Sequence, residues 1–352
     1  MRKSQLPRSI LIIQPGNAGD IVIASPIAEA IKNTYPNASV SWLTEPAHTH
    51  LLLNNTHVDE VLIWDKRKWA GMRKKNNILG LISELLTIRQ TLIKKNFESV
   101  IDLKGTLSTG LISRSTNAKY RIGLASHKGN QWFMTKTISS NTGDKIQIGS
   151  QYRYLCDQLE LNYTNWNMQA PTTPDTTKRI TSLLQQKNIN EDHAVVIPFS
   201  NTKERHWPEE YWQQLILRIR GKHQLRTIIL ANKNQKESAD KLAKACGAIA
   251  FAGTLNTEEC SAAIKSAKLC IGIDSALTHT GYALNTPTIA LFGASCPYSF
   301  TEYPASKVIY TDRFCSPCNN KPSCNGKFQC MSEILPDRVL AEIKTLLKQA
   351  KQ

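Results

Sequence analysis

The segment from Leu269 to Pro297 constrains the fold of this chain more than any other stretch. It reads LCIGIDSALTHTGYALNTPTIALFGASCP, and two short apolar runs, Leu269–Ile273 and Thr288–Phe292, flank a helical stretch at Ala276–Leu284. Apolar runs of this length without helical periodicity are typical of strands that are buried on both faces. A strand, a polar turn, a helix and a second strand form a βαβ unit, which requires a parallel sheet. We therefore expect an α/β protein.

The polar turn of this unit is a candidate ligand site. Asp274, Ser275, Thr278 and His279 follow the first strand. Ligands of parallel sheets bind at the carboxyl ends of the strands, where the amides of the next helix's first turn point at a bound anion. A second interpretation stays open, in which Asp274 and Ser275 only cap the helix and His279 is a hydrogen-bonded surface histidine.

The rest of the chain repeats the alternation of strands and helices in two halves. Because 352 residues exceed the size at which a single core stops growing, two domains are expected. We predict an N-terminal domain over residues 1–170, a proline-containing linker at 171–178, a C-terminal domain over 179–335 and a final helix at 336–352.

The N-terminal strand leads into a second candidate site. Ile10–Ile13 is followed by a turn-forming loop and by Asp20, which opens a helical stretch that reaches about Thr34. Pro26 lies inside this stretch, so a break between Asp20 and Ser25 would place the proline at a first helical position. The loop does not have the GxGxxG spacing of a dinucleotide site. Asp20 could be a helix N-cap or a carboxylate at a binding cleft.

A longer amphipathic helix is predicted at Ile78–Lys95. Its apolar residues share one broad face at helical spacing. They are Ile78, Leu81, Ile82, Leu85, Leu86, Ile88, Leu92 and Ile93.

The charge of the chain suggests an anionic partner. Lys and Arg number 44 against 28 Asp and Glu, a formal net charge of +16. Such an excess favours nucleic acid, an acidic membrane surface or a phosphorylated substrate, although each basic cluster could be only a solvated face. No nucleic-acid recognition motif accompanies the charge, so we predict no nucleic-acid partner. No apolar run is long enough to span a bilayer or to form a signal-peptide core, which predicts a cytoplasmic location.

Four of the nine cysteines are clustered in the loop 315–330. They are Cys315, Cys318, Cys324 and Cys330. Thiolates at these spacings could hold a structural Zn or Fe ion, or the loop could carry free thiols.

Three stretches resemble the heptosyltransferases of glycosyltransferase family 9. They are Ile10–Pro26, Val195–Tyr211 and Gly272–Gly293, and they occur in the order and spacing of that family. The resemblance implies a GT-B fold, with two Rossmann-like domains whose parallel sheets face each other across a cleft. It also implies inverting transfer of L-glycero-D-manno-heptose from ADP-heptose to the inner core of lipopolysaccharide. The acceptor would be an anionic lipid-linked oligosaccharide, Kdo-lipid A or the inner core, at the inner face of the cytoplasmic membrane, and catalysis would need no cofactor.

The resemblance also implies roles for individual residues. Asp20 matches the general base of the family. The donor-binding residues would be Ser200, Asn201, Thr202, Arg205, Glu237, Asp274, Ser275, Ala276, Leu277 and His279. The acceptor-binding residues would be Arg67, Lys68, Trp69, Lys128 and Arg153. Three positions depart from the family pattern, because Ser275-Ala276 replaces Thr-Gly and Arg205 replaces a lysine. The sequence has no Asp-x-Asp, the pattern that would indicate a divalent ion on the diphosphate.

Three other functions remain open at this stage. The chain could be a heptosyltransferase that modifies a protein, and only the identity of the acceptor separates this function from the first. It could also bind a nucleotide sugar without turnover, or bind nucleic acid through its basic residues. The joint presence of Asp20, Arg205 and His279 favours an enzyme.

Overall fold

The chain divides into two compact units. The computed structural model describes residues 8–125, 129–139, 147–189, 192–318 and 321–349. The first unit consists of Met1–Asp144 and Gly149–Asn167, and the second of Lys145–Ile148 and Met168–Gln352. This boundary differs from the predicted linker at 171–178, because that stretch starts a helix. Thr173 accepts the amide of Thr176 at 3.2 Å and thereby caps helix Pro174–Gln186, whose proline lies in its first turn.

The first unit is a six-stranded parallel sheet with helices. Its strands are β1 (Ser9–Ile13), β2 (Ser39–Thr44), β3 (Glu60–Ile63), β4 (Ser99–Asp102), β5 (Tyr120–Ala125) and β6 (Lys136–Ser139). Its helices are α1 (Ala18–Ala24), α2 (Pro26–Thr34), α3 (His50–Leu53), α4 (Lys66–Lys74), α5 (Ile78–Lys94), α6 (Leu107–Ser115) and α7 (Ser150–Gln158). The strand order is β3-β2-β1-β4-β5-β6. The order therefore reverses between β1 and β4, which pair in parallel.

The predicted break in the first helical stretch is confirmed. Helix α1 ends at Ala24, and Pro26 lies in the first turn of α2, where its missing N–H costs nothing. Ser25 does not cap α2 with its side chain. Its hydroxyl instead donates to the carbonyl of Val22 at 2.8 Å.

Helix α5 forms where predicted, but much of its apolar face is not covered. Leu92 is its one fully buried residue. Ile78, Leu79, Ile82 and Leu86 are between 49% and 81% exposed. The periodicity identified the apolar positions, whereas the neighbouring elements cover only the stripe that contains Leu92.

The second unit has the same strand order. Its strands are β7 (His193–Ile197), β8 (Arg226–Ala231), β9 (Ile249–Ala252), β10 (Leu269–Ile273), β11 (Thr288–Phe292) and β12 (Ser306–Tyr310). Its helices are α8 (Pro174–Gln186), α9 (Glu209–His223), α10 (Lys236–Cys246), α11 (Thr257–Lys265), α12 (Ala276–Ala283), α13 (Gln329–Ser332) and α14 (Pro336–Gln349). The order β9-β8-β7-β10-β11-β12 matches that of the first sheet strand for strand, with the reversal between β7 and β10.

The core of the second unit lies on both faces of its sheet. Along β7, Ala194 and Val196 belong to one hydrophobic cluster, and Val195 and Ile197 belong to another. Successive side chains of a strand point to opposite faces, so both faces are packed. The final helix, α14, contributes to the first of these clusters. It therefore packs as part of the second unit.

The βαβ unit that was predicted from the sequence is confirmed as β10-α12-β11, and β10 and β11 pair in parallel. Helix α12 approaches β10 closely at Gly272. A Cβ atom there would lie 2.2 Å from the hydroxyl of Thr278. None of the helices in the described part of the chain is both long and apolar enough to cross a bilayer.

Candidate active site

Each unit has its own group of candidate site residues, which we call a half-site. The first half-site lies where the strand order of the first sheet reverses. The loops after β1 and β4 meet there, and they bring Asp20 and Lys104 together, with 3.2 Å between Asp20 Oδ2 and Lys104 Nζ. About a third of each side chain is exposed. Asp20 is the third residue of α1, and Asn17 occupies the N-cap position, so Asp20 is not a helix cap. Its carboxylate is therefore not used as a cap, and it is partly exposed beside Lys104.

A buried carboxylate fixes the turn that carries Lys104. Asp102 is fully buried and accepts the backbone amides of Lys104 and Gly105, each at 3.0 Å, and the hydroxyl of Thr109 at 2.8 Å. Burial raises the pKa of Asp102 even though these hydrogen bonds favour its charged form. The turn therefore holds the Lys104 backbone in one geometry beside Asp20.

Asp20 and Lys104 line a cavity of about 190 Å³. Gln14 and Tyr152 also line it, and the Gln14 amide donates to the Tyr152 hydroxyl at 3.3 Å. Burial is the larger cause that raises the pKa of Tyr152, and the charge of Asp20 is the next one, so the phenol stays protonated. Gln14 Oε1 is buried and accepts no hydrogen bond from the described residues. The cavity thus offers a carboxylate, an ammonium group and a free amide oxygen, groups that suit a polyhydroxylated ligand.

The second half-site lies at the matching position of the second sheet, between β7 and β10. Asp274 accepts from Arg205 Nη1 at 3.2 Å, from His279 Nε2 at 3.3 Å and from the Ser295 hydroxyl. Burial alone would raise the pKa of Asp274, but the hydrogen bond and charge of His279, the charge of Arg205 and the Ser295 hydroxyl hold it below its ordinary value. Asp274 is therefore an ionised anchor for Arg205 and His279.

Tyr298 and Asp274 together fix the orientation of the His279 ring. The Tyr298 hydroxyl lies 2.6 Å from His279 Nδ1. Burial raises the pKa of Tyr298 well above its ordinary value, so the hydroxyl keeps its proton. Because Nε2 of the same ring lies 3.3 Å from Asp274, both ring nitrogens of His279 have a partner.

The N-terminus of α12 and Arg205 make this half-site suitable for an anion. Ser275 is the N-cap of α12, and its hydroxyl accepts the amide of Thr278 at 3.4 Å. Ala276 and Leu277 form the first turn, whose amides point toward the carboxyl edge of the sheet. Arg205 Nε is buried and donates to none of the described residues. A guanidinium donor and a helix N-terminus thus meet at one edge.

The other predicted donor residues lie along the same edge. The Ser200 hydroxyl donates to the Thr202 carbonyl at 2.8 Å and accepts the Thr202 amide at 3.0 Å, which closes the loop after β7. Asn201 accepts from Asn234 in the next loop at 3.5 Å, and exposed Glu237 lies in the first turn of α10. The structure therefore brings the predicted donor residues to the carboxyl ends of three neighbouring strands, β10, β7 and β8.

The predicted acceptor residues are less uniform in their surroundings. Arg67 and Lys68 are exposed on α4, and Lys68 pairs with Glu84 of α5. Trp69 packs edge-on against Trp64, with 5.3 Å between ring centroids. Arg153 is buried, with its guanidinium carbon 5.1 Å from the Trp166 ring centroid. Lys128 lies outside the described residues. Their acceptor roles stay predictions, and Trp69 and Arg153 have packing roles in the structure.

Comparison with known proteins establishes the family. The sequence profile of glycosyltransferase family 9 (heptosyltransferase) matches residues 85–329, more than half of the chain. The chain belongs to glycosyltransferase family 9. It is accordingly a glycosyltransferase.

Relatives of this family 9 glycosyltransferase are similar over most of its length. Lipopolysaccharide heptosyltransferase 1 of Escherichia coli strain K12 is 21% identical over 304 residues, which cover 85% of this chain and 92% of that protein. Lipopolysaccharide heptosyltransferase 1 of Pseudomonas aeruginosa strain PAO1 is 20% identical over 358 residues, which cover 96% of this chain and 98% of that protein.

Solved structures show the same fold. A family 9 glycosyltransferase from Veillonella parvula has a TM-score of 0.83 at 19% identity, covering 97% of this chain and 98% of that one. E. coli heptosyltransferase WaaC with ADP-2-deoxy-2-fluoro heptose has a TM-score of 0.70 at 18% identity, covering 96% of this chain and 99% of that one. The prediction of two Rossmann-like α/β domains of GT-B type is confirmed by the two parallel sheets and by these neighbours.

Gln14 and Tyr152 of the first half-site were not predicted as site residues, and neither were three residues that form its ion pair or hold Asp274 and His279. These three are Lys104, Ser295 and Tyr298, and each follows the carboxyl end of a strand. The end of a predicted strand can be located in the sequence, and the carboxyl ends of parallel strands line ligand sites. The partners of these three residues are 84, 21 and 19 residues away, however, and periodicity does not reveal such pairings.

The clustered cysteines lie near enough to one another for their charges to interact. Burial, and then the charges of Cys315, Cys318 and Cys324, raise the pKa of Cys330. Within residues 8–125, 129–139, 147–189, 192–318 and 321–349, no three His, Cys, Asp or Glu side chains are placed to hold a metal ion. E. coli TibC, described as an iron-containing glycosyltransferase, has a TM-score of 0.57 at 14% identity, covering 98% of this chain and 77% of that one. Metal binding by the loop 315–330 stays a prediction.

Proposed function

We propose that this family 9 glycosyltransferase moves L-glycero-D-manno-heptose from ADP-heptose to the inner core of lipopolysaccharide, with inversion at the anomeric carbon. The observation that carries the proposal is the pair of half-sites. One has an accessible carboxylate beside a lysine, and the other has a guanidinium beside a helix N-terminus. Direct displacement needs a base for the acceptor hydroxyl and a site that binds the diphosphate leaving group.

The second unit suits the donor. ADP carries its negative charge on the diphosphate, and the Arg205 guanidinium and the first-turn amides of α12 would bind that charge. WaaC has been solved with ADP-2-deoxy-2-fluoro heptose and TibC in complex with ADP-D-β-D-heptose, which supports an ADP-sugar as donor. Asp274 would not touch the phosphates. It would hold Arg205 and His279 in place.

The first unit suits the acceptor. Asp20 would take the proton of the acceptor hydroxyl, whose oxygen then bonds to the anomeric carbon while the carbon–oxygen bond to the β-phosphate breaks. The electron pair of that bond leaves with ADP, where Arg205 stabilises the added charge. Lys104 would orient Asp20 and attract an anionic acceptor, and Gln14 Oε1 would accept from a sugar hydroxyl.

The acceptor proposed here is anionic and lipid-linked, either Kdo-lipid A or an inner core that already carries heptose. The net charge of +16 and the lipopolysaccharide heptosyltransferase relatives support this class of acceptor. The enzyme would then act in the cytoplasm at the inner face of the cytoplasmic membrane.

The decisive experiment measures ADP binding and turnover of ADP-heptose with Kdo-lipid A, for the wild type and for Asp20→Asn. We expect Asp20→Asn to lower turnover by about 10²- to 10⁴-fold while ADP binding persists, since the base is lost and the donor site is not. Lys104→Met should lower turnover by roughly tenfold or more. The matched control is Asp240→Asn, an exposed carboxylate of α10, which should change neither quantity.

Each other outcome has a distinct meaning. Full turnover in Asp20→Asn would remove Asp20 as the base. Failure of the wild type to bind ADP would reject the donor site at β7 and β10. ADP binding and slow hydrolysis of ADP-heptose without transfer to Kdo-lipid A would reject the lipid acceptor and direct the search to a protein acceptor.

We also propose that the loop 315–330 holds a structural Zn or Fe ion away from the reaction. Four cysteines within one loop, at spacings that suit a tetrahedral ion, support this proposal. Metal analysis of the purified enzyme should find less metal in Cys318→Ser than in the wild type and in the control Cys246→Ser, a buried cysteine of α10. Equal metal content in all three proteins would reject the site.

A further inference from the structure

Helix α5 carries two apolar stripes, and only one of them is needed for the core. Leu92 is fully buried, and Leu81, Leu85 and Ile88 are half-buried on the same side. The second stripe consists of Ile78, Leu79, Ile82 and Leu86, exposed by 66%, 81%, 49% and 49%. Residues three, four and seven apart lie on one side of a helix, so these four side chains form a continuous strip in solvent.

Positive charge surrounds this strip. Arg73, Lys74 and Lys75 are exposed immediately before α5, and Arg89 is exposed one turn after Leu86. From residue 66 to residue 95 the chain has nine Lys or Arg residues and a single acid, Glu84. Glu84 pairs with Lys68 of α4, so its charge is already compensated. Half of the formal net charge of the chain thus lies in these 30 residues.

We propose that this face of α5 docks on an anionic lipid bilayer. The docking face consists of the strip Ile78, Leu79, Ile82 and Leu86 together with Arg73, Lys74, Lys75 and Arg89. The apolar side chains would enter the boundary between headgroups and acyl chains while the cations bind anionic headgroups, as in interfacial amphipathic helices. The inference rests on the proposed function in one respect: a lipid-linked acceptor explains why the enzyme would need to dock on a bilayer.

Charge complementarity decides between a bilayer and a second copy of this chain. Two copies that met through this face would bring their cations together with no unpaired acid in residues 66–95 to compensate them. An anionic bilayer compensates every cation at once and also accepts apolar side chains. The exposed strip and the cation excess therefore favour the same partner.

The test measures how the full-length protein partitions onto lipid vesicles, with no nucleotide sugar or acceptor present. Vesicles of phosphatidylcholine alone are compared with vesicles that contain one-third phosphatidylglycerol, at low and at high ionic strength. We expect binding to the anionic vesicles, with an affinity that falls as salt screens the headgroup attraction.

Two double variants test the two parts of the face. Leu79→Gln with Ile82→Gln removes exposed apolar contacts, and Lys74→Glu with Lys75→Glu reverses two charges. Each should lower the partition coefficient on anionic vesicles by roughly tenfold or more. The matched controls lie on α9, where Leu217 is 50% exposed and Lys222 is also exposed. Leu217→Gln and Lys222→Glu should leave partitioning unchanged.

Three results would overturn the docking face. The first is equal binding to neutral and anionic vesicles, and the second is undiminished anionic binding by both double variants. The third is absence of vesicle binding together with a dimer that the double variants dissociate, which would make the face an interface between copies. Turnover with a detergent-dispersed acceptor reports on the proposed function separately, and the double variants should retain it.

Discussion

At the scale of single residues, the two half-sites use the same kind of ion pair for different purposes. Asp20 and Asp274 each lie 3.2 Å from a cation of a neighbouring loop. Asp274 is 8% exposed and also holds His279 and Ser295, whereas about a third of the Asp20 side chain is exposed. A carboxylate with several buried partners is a fixed anchor, and one with room beside it can accept a proton.

The depressed pKa of Asp274 leads to a prediction about pH. Its folded value lies below the ordinary value of 3.8, so its stabilising contribution is complete above that value and is lost as pH falls through the folded value. Asp274→Asn should lower the free energy of unfolding by about 2–4 kcal/mol, because Arg205 and His279 lose a charged partner. The difference between wild type and variant should be constant from about pH 8 to about pH 5.

Chemical unfolding monitored at several pH values measures this difference. Ser295→Ala is a useful comparison, because it removes one neutral donor and leaves Arg205 and His279 paired with Asp274. A difference that stays unchanged as the pH falls from about 4 to about 2 would show that the folded pKa of Asp274 is not depressed.

At the scale of elements, hydrophobic patterning predicted local structure well and packing less well. The apolar runs of β10 and β11 and the polar turn between them were sufficient to predict the βαβ unit, because each signal is local. The helix at α5 was also predicted, but the exposure of Ile82 and Leu86 was not. Periodicity states which residues share a face, whereas the position of neighbouring elements decides which stripe is covered.

The close approach of α12 to β10 predicts the effect of one glycine substitution. In Gly272→Ala the added methyl group would lie 2.2 Å from Thr278 Oγ1 and 3.1 Å from Ile197 Cβ. Overpacking of this kind should lower the free energy of unfolding by about 1–3 kcal/mol. Because Thr278 follows Ser275 in the first turns of α12, ADP affinity should fall as well. Thermal unfolding and calorimetric titration measure the two effects.

Gly221→Ala is the matched control for this substitution. Gly221 lies in α9, and a Cβ atom there would have nothing within 4 Å. Alanine is the better helix former, so this variant should gain about 0.5–1 kcal/mol. Equal stability of the two variants would show that α12 is not in close contact with β10.

At the scale of the whole molecule, two sheets with the same strand order carry different side chains at the same place. In each sheet the strand order reverses between the first and the fourth strand of the unit, and each half-site lies at that reversal. The topology therefore predicts where a ligand binds in each unit. The side chains of the loops determine which ligand it is, and loop sequences follow no periodic rule.

This division of roles predicts a localised response to ADP. At about 100 times its Kd, a ligand stabilises its binding site by about 2.7 kcal/mol. Hydrogen exchange should slow in the loop 199–206 and in α12, whose residues would hold the diphosphate, and not in residues 14–24 of the first unit. Arg205→Ala should abolish this protection and Lys104→Met should preserve it. Protection around Asp20 by ADP alone would contradict the assignment of the donor to the second unit.

The pairing of Ile148 has a consequence for synthesis on the ribosome. The Ile148 amide donates to the carbonyl of Phe300 at 3.0 Å, and Gln147 forms a parallel bridge with the same residue. The chain grows by about 5–20 residues per second, so Phe300 follows Ile148 by roughly 8–30 s. The first sheet can assemble during that interval, but Gln147 and Ile148 must wait for their partner. A nascent chain halted before Phe300 should therefore be open to proteases at Ile148, and a completed chain should be protected there.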